Sequence, residues 1–285
     1  MKVAIIGASG QLGHDLVKAL AGEELVPLTH ADVEICDAAS VDALMTRHSP
    51  QIVVNLAAYH KVDECEGNPE RSFAVNALGV RNLARACQEH GATLLHMSTD
   101  YVFDGRKGSP YAEDDPPCPI NVYGISKLAG EYFVRYICPQ YFIVRSSGLY
   151  GVAGSSGKGG NFIELMLRLA REGKDIRVVN DQVLTPTYTV DLARKIVQLI
   201  HTQHYGLYHI TSAGSCSWYE FASKIFELAG VAANLSPTTT ASFGAPATRP
   251  AYSVLAHQAL ARIGLDDLRP WPEALAAYLA ERQTR

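Results

Sequence analysis

The chain has 285 residues, of which 47% are hydrophobic and 19% charged, so it can bury a sizeable core and is not a largely disordered protein. Its formal net charge is −4, and no run of lysines or arginines provides the basic surface that a nucleic-acid-binding protein needs. We therefore expect a small soluble partner and no nucleic acid.

The cysteines and the N-terminus indicate the cellular compartment of the protein. Six cysteines lack the spacing of a zinc site and the density of a disulfide scaffold, and are expected to be reduced thiols: Cys36, Cys65, Cys87, Cys118, Cys138 and Cys216. The first apolar run, Val3 to Ile6, is too short for a signal sequence or a membrane span. These features predict a cytoplasmic protein without membrane association.

Up to Tyr150, short β-branched runs alternate with longer helical stretches. Candidate strands are Val3 to Ile6, Glu24 to Leu28, Gln51 to Leu56, Thr93 to Met97 and Tyr141 to Val144. Candidate helices are Leu12 to Ala21, Val41 to His48, Pro69 to His90 and Val122 to Tyr136. The alternation predicts an α/β fold of the Rossmann type, a doubly wound parallel sheet with helices on both faces. Such sheets bind ligands beyond the carboxyl ends of their strands.

After Tyr150 the pattern becomes more varied. A Gly/Ser-rich stretch, residues 151–160, precedes a candidate helix from Asn161 to Glu172, and residues 180–186 are expected to form a loop. A helix from Trp218 to Ala229, a Thr/Pro/Ala-rich connection over residues 236–248 and a last helix from Pro272 to Arg282 predict a small C-terminal lobe. We divide the chain into a dinucleotide-binding domain, residues 1–150, to which later segments return, and residues 151–285, mainly a substrate-binding lobe.

Three glycines follow the first candidate strand and lead directly into a helix. Glycines permit a tight turn and a close backbone approach, while the N-terminus of the helix offers free N–H groups to a pyrophosphate. The candidates for cofactor binding here are Gly7, Gly10, Gln11, Leu12 and Gly13. The alternative is an ordinary glycine-rich turn.

The end of the second strand bears on the choice of cofactor. An acid at this place binds the ribose of NAD, but residues 29–31 read Thr-His-Ala and Asp32 comes only later. Because this leaves room for the 2′-phosphate of NADP, we expect NADP or NAD, with NADPH favoured. Asp37 is a candidate for the adenine amino group, and capping of the next helix is an equally good interpretation.

Tyr123 and Lys127 are four residues apart, and thus on one face of a predicted helix. A nearby cation favours phenolate and brings the pKa of the tyrosine closer to neutral pH, where the phenol can act as a proton donor. Lys127 can also donate to the nicotinamide ribose. Two exposed helix residues are the alternative. The segment Met97 to Phe103 argues against it, because it lies just past a strand, where a hydroxyl can hold a substrate carbonyl. For Ser98 and Thr99 themselves, the alternative is a strand-end turn formed by their hydroxyls.

Together these motifs resemble the extended short-chain dehydrogenase/reductases and, within them, the dTDP-4-dehydrorhamnose reductases. The resemblance spans most of the chain and rests on residues 7–13, 55–58, 62–63, 98–103, 121–124 with 127–131, 161–162, 180–182 with 186–187, and 249–250. It implies reduction of the 4-keto group of a nucleotide-linked 6-deoxy sugar, with Thr99, Tyr123 and Lys127 at the family's catalytic positions.

The resemblance also implies roles for other residues. Ala57, Ala58 and Tyr59 match cofactor-binding positions, the last two on the nicotinamide side, and Asn76 matches an asparagine that supports a proton relay. Positions near the sugar nucleotide are matched by Val62, Asp100, Tyr101 and Arg249. Each has a structural alternative: Val62 as core, Asp100 as a turn former, Tyr101 as a packed aromatic, Asn76 as a satisfied polar group and Arg249 as a solvated surface residue.

One position departs from the family. Where well-known members carry a tryptophan that packs on the sugar, this chain has Gly148, so either Leu149, Tyr150 or a loop residue fills the space, or the sugar differs. No ligand cluster suggests a metal, and a homodimer is in keeping with the family.

Two other functions stay open. A reductase or epimerase of another nucleotide sugar would use the same fold. A relative of the family serves as a regulatory subunit of methionine adenosyltransferase without catalysis, although an intact set of Thr99, Tyr123 and Lys127 argues against such a role.

Overall fold

A computed structural model describes residues 1–153 and 160–284. The strands of these residues are β1 (Lys2–Ile6), β2 (Glu24–Leu28), β3 (Ile52–Asn55), β4 (Thr93–Thr99), β5 (Tyr141–Ser146), β6 (Leu149–Tyr150), β7 (Asp175–Val179), β8 (Val183–Leu184), β9 (Thr187–Tyr188), β10 (Gly206–His209), β11 (Cys216–Ser217) and β12 (Asn234–Thr238).

The helices follow in the same order: α1 (Gln11–Ala19), α2 (Ala38–His48), α3 (Val62–Gly67), α4 (Pro69–Phe73), α5 (Val80–His90), α6 (Val122–Ile137), α7 (Phe162–Arg171), α8 (Thr189–Ile200), α9 (Trp218–Ala229), α10 (Thr240–Phe243), α11 (Gln258–Arg262) and α12 (Trp271–Gln283). A π-helix at Ala74–Gly79 joins α4 to α5, and a 3-10 helix at Asp100–Val102 follows β4.

Six parallel strands form the central sheet in the order β10-β5-β4-β3-β1-β2. Alternate residues of β1 face opposite apolar layers, because side chains alternate along a strand: Val3 and Ile5 pack with α1 and α8, while Ala4 and Ile6 pack with α2 and α5. The predicted Rossmann-type doubly wound sheet is confirmed. Its strand order reverses at β1, so the carboxyl ends of β1 and β3 open onto a common crevice.

The predicted helix over residues 69–90 is wrong in one respect. A π-helix at Ala74–Gly79 interrupts it. The wider turn brings Asn76 and Gly79 inward against Tyr59 and Ile35, contacts that helical periodicity does not encode.

Late segments complete the main sheet. β10 pairs with β5 as the sixth strand, and Leu192, Ile196 and Leu199 of α8 lie buried in the layer beside α1. Neither element was predicted, since short apolar runs beyond residue 180 gave no clear period.

The remaining elements form a lobe with its own core. Tyr150, Tyr188, Phe221 and Tyr278 pack ring on ring between α7, α9 and α12. The loop prediction for 180–186 is wrong at Val183 and Leu184, which form β8 against β11. The predicted connection over 236–248 likewise contains the end of β12, paired with β7, and the helix α10. β8 and β12 both pair with strands that are distant in sequence, so a local pattern does not predict them.

All six cysteines are free thiols, as expected. Burial raises the pKa of Cys138 to about 12 and that of Cys36 to about 11, so both stay protonated at neutral pH. Within residues 1–153 and 160–284, the helices are too short or too polar to cross a membrane.

A buried ion pair fixes α6 to the sheet. Arg145 of β5 binds Glu131 of α6 through two hydrogen bonds, of 2.9 Å from Nε and 2.6 Å from a terminal nitrogen, and both side chains are almost fully buried. Ser98 of β4 also donates to Glu131, at 2.5 Å. A paired buried charge is tolerated because its hydrogen bonds replace water, whereas a single buried charge is costly.

Replacing Arg145 with methionine leaves Glu131 buried without its ionic partner, and we expect the free energy of unfolding in urea to fall by about 3–5 kcal/mol. The matched control is Lys224→Met, which removes an exposed ion pair with Glu227 on α9 and should change stability by less than about 0.5 kcal/mol. Equal losses in the two variants would contradict the importance assigned to the buried pair.

Candidate active site

The glycine loop lies between β1 and α1. Gly7 has a φ of +86°, and its amide donates to the Leu28 carbonyl at 2.9 Å. A β-carbon on Gly13 would lie 2.7 Å from the Ala8 α-carbon, so only glycine fits there. Gly10 is the N-cap of α1 and makes no side-chain capping bond, which leaves the first N–H groups of the helix open to an anion.

The other two loop candidates have structural duties. Gln11 accepts a hydrogen bond from the Gly151 amide at 2.9 Å, and the Leu12 side chain is buried in the core beside β1. Both can therefore offer a cofactor their backbone N–H groups, while the Gln11 side chain ties α1 to the second lobe.

Two acids near the predicted adenosine end are already hydrogen-bonded. Asp37 caps α2 by accepting from the Ala39 amide at 3.0 Å, as its structural interpretation required. Asp32 accepts from the amide and the hydroxyl of Thr29, at 2.8 and 2.7 Å, and so closes a turn after β2. The adenine contact of Asp37 stays a prediction.

The predicted nicotinamide side follows β3. The Tyr59 amide donates to Asn76 Oδ1 at 2.9 Å, and Asn76 Nδ2 donates to the Tyr59 carbonyl at 2.9 Å and to Ser126 at 3.0 Å. Ala57 and Ala58, between Asn55 and this anchor, are half-buried. Asn76 is thus a fully satisfied side chain that holds the strand-end loop against α6.

Tyr123 lies in the first turn of α6. Asn121 caps this helix by accepting from the Gly124 amide at 2.8 Å. The rings of Tyr123 and Tyr101 meet edge to face with centroids 5.9 Å apart, and the Thr99 hydroxyl hydrogen-bonds the phenol. The structure therefore brings Thr99, Tyr101 and Tyr123 together at the carboxyl end of β4.

The pKa of Tyr123 moves opposite to the expected direction. Burial raises it above its ordinary value, the Thr99 hydrogen bond lowers it, and the negative charge of Asp100 raises it further. A neighbouring cation was expected to lower it, but Lys127 donates to the Met97 carbonyl at 2.6 Å and burial is the larger effect. At neutral pH the phenol is protonated, the form required of a proton donor.

Lys127 lies one turn further along α6 and is 2% exposed. Its Nζ is also 3.4 Å from Nε2 of His96, a buried residue of β4. Burial lowers the pKa of Lys127 to about 8, with Glu131 acting in the opposite direction.

Asp100 is buried, and three hydroxyls surround its carboxylate. Thr99 donates to one oxygen at 3.0 Å, while Ser147 and Ser253 donate to the other at 2.8 and 2.6 Å. Burial raises the pKa of Asp100 and these bonds lower it. Asp100 thus joins β4 to the second lobe, and a direct contact with the sugar stays a prediction.

Arg249 is not a solvated surface residue. Its guanidinium donates to Asp63 at 2.9 Å and to the Ala247 carbonyl at 3.0 Å, and it hydrogen-bonds Tyr101. Val62, at the start of α3, is half-buried and belongs to none of the apolar clusters of the described residues. Arg249 therefore lies beside Tyr101 at one edge of the tyrosine pair, while a contact of Val62 with the sugar stays a prediction.

Gly148 adopts a φ of +56°, and a β-carbon there would lie 3.0 Å from Leu184 and 3.1 Å from Pro186. A tryptophan at this position would need the backbone to move. Tyr150 does not take its place, because its ring stacks on Tyr188 inside the second lobe. Leu149 packs against the main core.

Comparison with known proteins supplies the family. A family model described as "RmlD substrate binding domain" matches residues 1–284. The chain belongs to the RmlD family. The spore coat polysaccharide biosynthesis protein SpsK of Bacillus subtilis (strain 168) is 42% identical over 285 residues, 99% of this chain and 98% of that protein. The dTDP-4-dehydrorhamnose reductase of Streptomyces griseus is 41% identical over 280 residues, 95% of this chain and 90% of that protein.

A solved structure agrees with these relatives. The dTDP-4-dehydrorhamnose reductase (rfbD) of Bacillus anthracis str. Ames, in complex with NADP, superposes with a TM-score of 0.94 at 42% identity, covering 98% of this chain and 99% of that one. The resemblance inferred from the motifs of this RmlD-family chain is confirmed.

Sequence reasoning missed several polar residues of the site. His96, Ser126 and Ser253 each hydrogen-bond a predicted site residue or its support. The signal for His96 was present, since it is a lone polar residue between Leu95 and Met97 of an apolar strand. In the described part of the chain, no group of three or more His, Cys, Asp or Glu side chains could hold a metal ion.

Gly13→Ala tests the glycine loop of this RmlD-family protein. The added β-carbon would overlap the Ala8 backbone, so we expect the affinity for NADPH in calorimetry to fall by about 10-fold or more. Gly22→Ala is the matched control, because a β-carbon there meets nothing within 4 Å. An unchanged affinity in Gly13→Ala would remove the loop from the cofactor site.

Proposed function

We propose that this RmlD-family chain reduces the 4-keto group of dTDP-4-dehydro-L-rhamnose, with NADPH or NADH, to give dTDP-L-rhamnose. The observation that carries the proposal is the grouping of the Tyr123 phenol and the Thr99 hydroxyl at the carboxyl end of β4, with Lys127 buried one turn further along α6. A proton donor, a second hydroxyl and a buried amine are the groups that a carbonyl reductase needs.

The residues present fit a dinucleotide. Gly7, Gly10 and Gly13 keep the loop free of side chains where the α1 N–H groups are open, and Ala57 and Ala58 keep the end of β3 small. These residues would hold the pyrophosphate and the nicotinamide side, with Asp37 near the adenine. The reduced nicotinamide supplies the hydride when bound.

Tyr123 is the proposed proton donor to the carbonyl oxygen. Its phenol is protonated at neutral pH, and the oxygen becomes basic as it gains negative charge, which draws the proton across. Lys127 supports the phenolate that remains and can donate to the cofactor ribose. Ser126 donates to the Tyr123 carbonyl at 2.8 Å and is itself held by Asn76, so the first turn of α6 is fixed during proton transfer.

The single proton of the Thr99 hydroxyl is shared between Asp100 and the Tyr123 phenol. To donate to the substrate oxygen, its hydroxyl must turn from Asp100 to the sugar. Asp100 tolerates this change because Ser147 and Ser253 continue to donate to its other oxygen.

The nucleotide part of the substrate would lie against the second lobe. Arg249 offers a planar guanidinium that can bind phosphate oxygens through paired hydrogen bonds, and Tyr101 lies beside it. We expect Val62 to lie near the sugar. Asp63 already pairs with Arg249, so the diphosphate must take over donors that this carboxylate now uses.

A second function, the reduction of another nucleotide-linked keto sugar, is favoured by Gly148. This chain lacks the indole that packs on the sugar in well-known relatives, and even a β-carbon at Gly148 would lie 3.0 Å from Leu184 and 3.1 Å from Pro186. Loss of one apolar contact alters sugar selectivity by a modest factor and leaves the reaction class intact.

The test is oxidation of NADPH and NADH with enzymatically prepared dTDP-4-dehydro-L-rhamnose, followed by nicotinamide absorbance, with the product identified by mass and NMR. Stoichiometric dTDP-L-rhamnose supports the proposal. Cofactor binding without oxidation of this sugar, but with oxidation of another, supports the second function. Cofactor binding with no turnover of any nucleotide sugar supports a regulatory role.

Tyr123→Phe should lower turnover by roughly 10²-fold or more while leaving NADPH affinity nearly unchanged, because only the proton donor is lost. Tyr132→Phe removes a hydroxyl from an exposed tyrosine of the same helix and should behave as wild type. Full turnover by Tyr123→Phe would exclude the phenol as the acid.

Arg249→Met should raise the KM for the sugar nucleotide by about 10-fold or more, with NADPH affinity unchanged, since a charge-assisted contact to phosphate is lost. Arg194→Met, which removes an exposed guanidinium from α8, is the control. A normal KM in Arg249→Met would place the diphosphate elsewhere.

A further inference from the structure

Two buried polar side chains lie in succession behind the proposed catalytic lysine. Asn55 ends β3, His96 lies in β4 and Lys127 lies in α6, and none is more than 2% exposed. Asn55 Nδ2 is 3.1 Å from His96 Nδ1, and His96 Nε2 is 3.4 Å from Lys127 Nζ. The proposed reaction assigns no role to Asn55 or His96.

The direction of the Asn55 amide is set by the backbone. Its Oδ1 accepts a hydrogen bond from the Ala57 amide at 3.1 Å, so its NH2 group faces His96. In the reverse orientation the Asn55 NH2 group would face the Ala57 N–H, and two donors would meet without an acceptor.

This amide decides where the imidazole carries its proton. An NH2 group only donates, so Nδ1 of His96 must accept, and the one proton of the neutral ring lies on Nε2. In a doubly protonated ring, the Nδ1–H group of His96 would face the NH2 group of Asn55, and two donors would meet without an acceptor. Burial also lowers the pKa of His96 well below its ordinary value, so the ring is neutral at neutral pH.

The Nε2–H group therefore points at the Lys127 amine. Against an ammonium it makes a donor–donor contact, whereas against a neutral amine it can donate to the nitrogen lone pair. The Met97 carbonyl, at 2.6 Å, accepts from the amine in both states.

We propose that His96 is a positioning residue for Lys127: Asn55 holds its ring in the Nε2–H tautomer, and this N–H directs the amine and favours its neutral form. The kinetic consequence rests on the proposed reductase function, but the tautomer does not. A pKa of about 8 for Lys127 agrees in direction, with burial as its main cause. A weakly held proton at Lys127 is one the site can move when the Tyr123 phenolate must be reprotonated after each turnover.

Other charged groups near Lys127 do not replace His96. Glu131 favours the ammonium, but Arg145 and Ser98 occupy its oxygens. Asp100 and Tyr101 of the 3-10 helix act on the Tyr123 phenol. The π-helix packed against α6 has no titratable side chain. The acids of α3 have other partners: Asp63 binds Arg249, Glu64 binds Lys61 and Glu66 accepts from the Val122 amide. In α4, Glu70 and Arg71 are exposed to solvent. In α5, Arg81 lies over the ring of Phe133.

The tautomer can be measured without substrate. In the wild-type protein labelled at histidine, ring ¹⁵N and ¹³C shifts of His96, assigned by comparison with His96→Gln, should report the neutral Nε2–H form between about pH 6 and pH 9. The Nδ1–H form, or protonation within this range, would overturn the proposal.

Two substitutions at His96 separate positioning from packing. Glutamine places an amide nitrogen near the former Nε2 and retains a donor toward Lys127. Asparagine reaches only the former Nδ1 position and provides none. Since the ammonium supports the reaction, turnover falls as pH rises through the Lys127 pKa, and removal of the donor should move that fall to higher pH.

We expect His96→Asn to shift the alkaline limb of the kcat profile upward by about one pH unit, and His96→Gln to keep it close to wild type. Thr93→Val, elsewhere in β4, controls for general damage to the strand. A lower kcat in both His96 variants without a shifted limb would show a merely structural role and would overturn the proposal.

The positioning role of His96 can be tested even if the proposed function is wrong. If no nucleotide sugar is turned over, the same shift is read from the Lys127 ¹³Cε resonance in the protein alone. An unchanged Lys127 titration in a folded His96→Asn variant overturns the positioning role whatever the substrate. If that variant does not fold, Asn55→Ala, which frees the ring to change tautomer, should raise the Lys127 pKa in the same way, and no change would overturn the proposal.

Discussion

The buried pair of Glu131 and Arg145 holds the structure of the site in place. It joins α6 to β5, and Ser98 extends it to β4, so the helix that carries Tyr123 and Lys127 cannot shift without exposing a charge to an apolar interior. The end of β4 and the first turns of α6 thus keep a fixed separation. Everything proposed about proton donation depends on that separation.

Desolvation then sets the chemistry of each group. The same burial raises the pKa of Tyr123 and Asp100 and lowers that of Lys127 and His96, because it disfavours the charged form in every case. The result is a protonated phenol in the first turn of α6 and, one turn further along, an amine whose pKa is lowered to about 8. Hydrogen bonds tune these groups within limits that burial has set, as the three hydroxyls around Asp100 illustrate.

Several of the polar contacts between the two lobes lie at the site itself. Ser253 donates to Asp100, Arg249 binds Asp63 and the Gly151 amide donates to Gln11. Each contact has one partner in a segment proposed to bind cofactor or sugar. A substrate that displaces Asp63 from Arg249 therefore acts on the lobe interface as well as on its own phosphates.

The amino-acid sequence by itself determined the parallel sheet, the glycine loop and the pairing of Tyr123 with Lys127, because β-strand and helix periods and short motifs are local properties of the chain. It also indicated Thr99, which lies just past the predicted strand Thr93 to Met97. Only the tertiary structure decided that residues 74–79 form a π-helix and that β10 completes the sheet. It alone placed Ser253 on Asp100 and His96 behind Lys127. Those outcomes depend on partners far apart in sequence and on burial, and neither quantity is present in a local pattern.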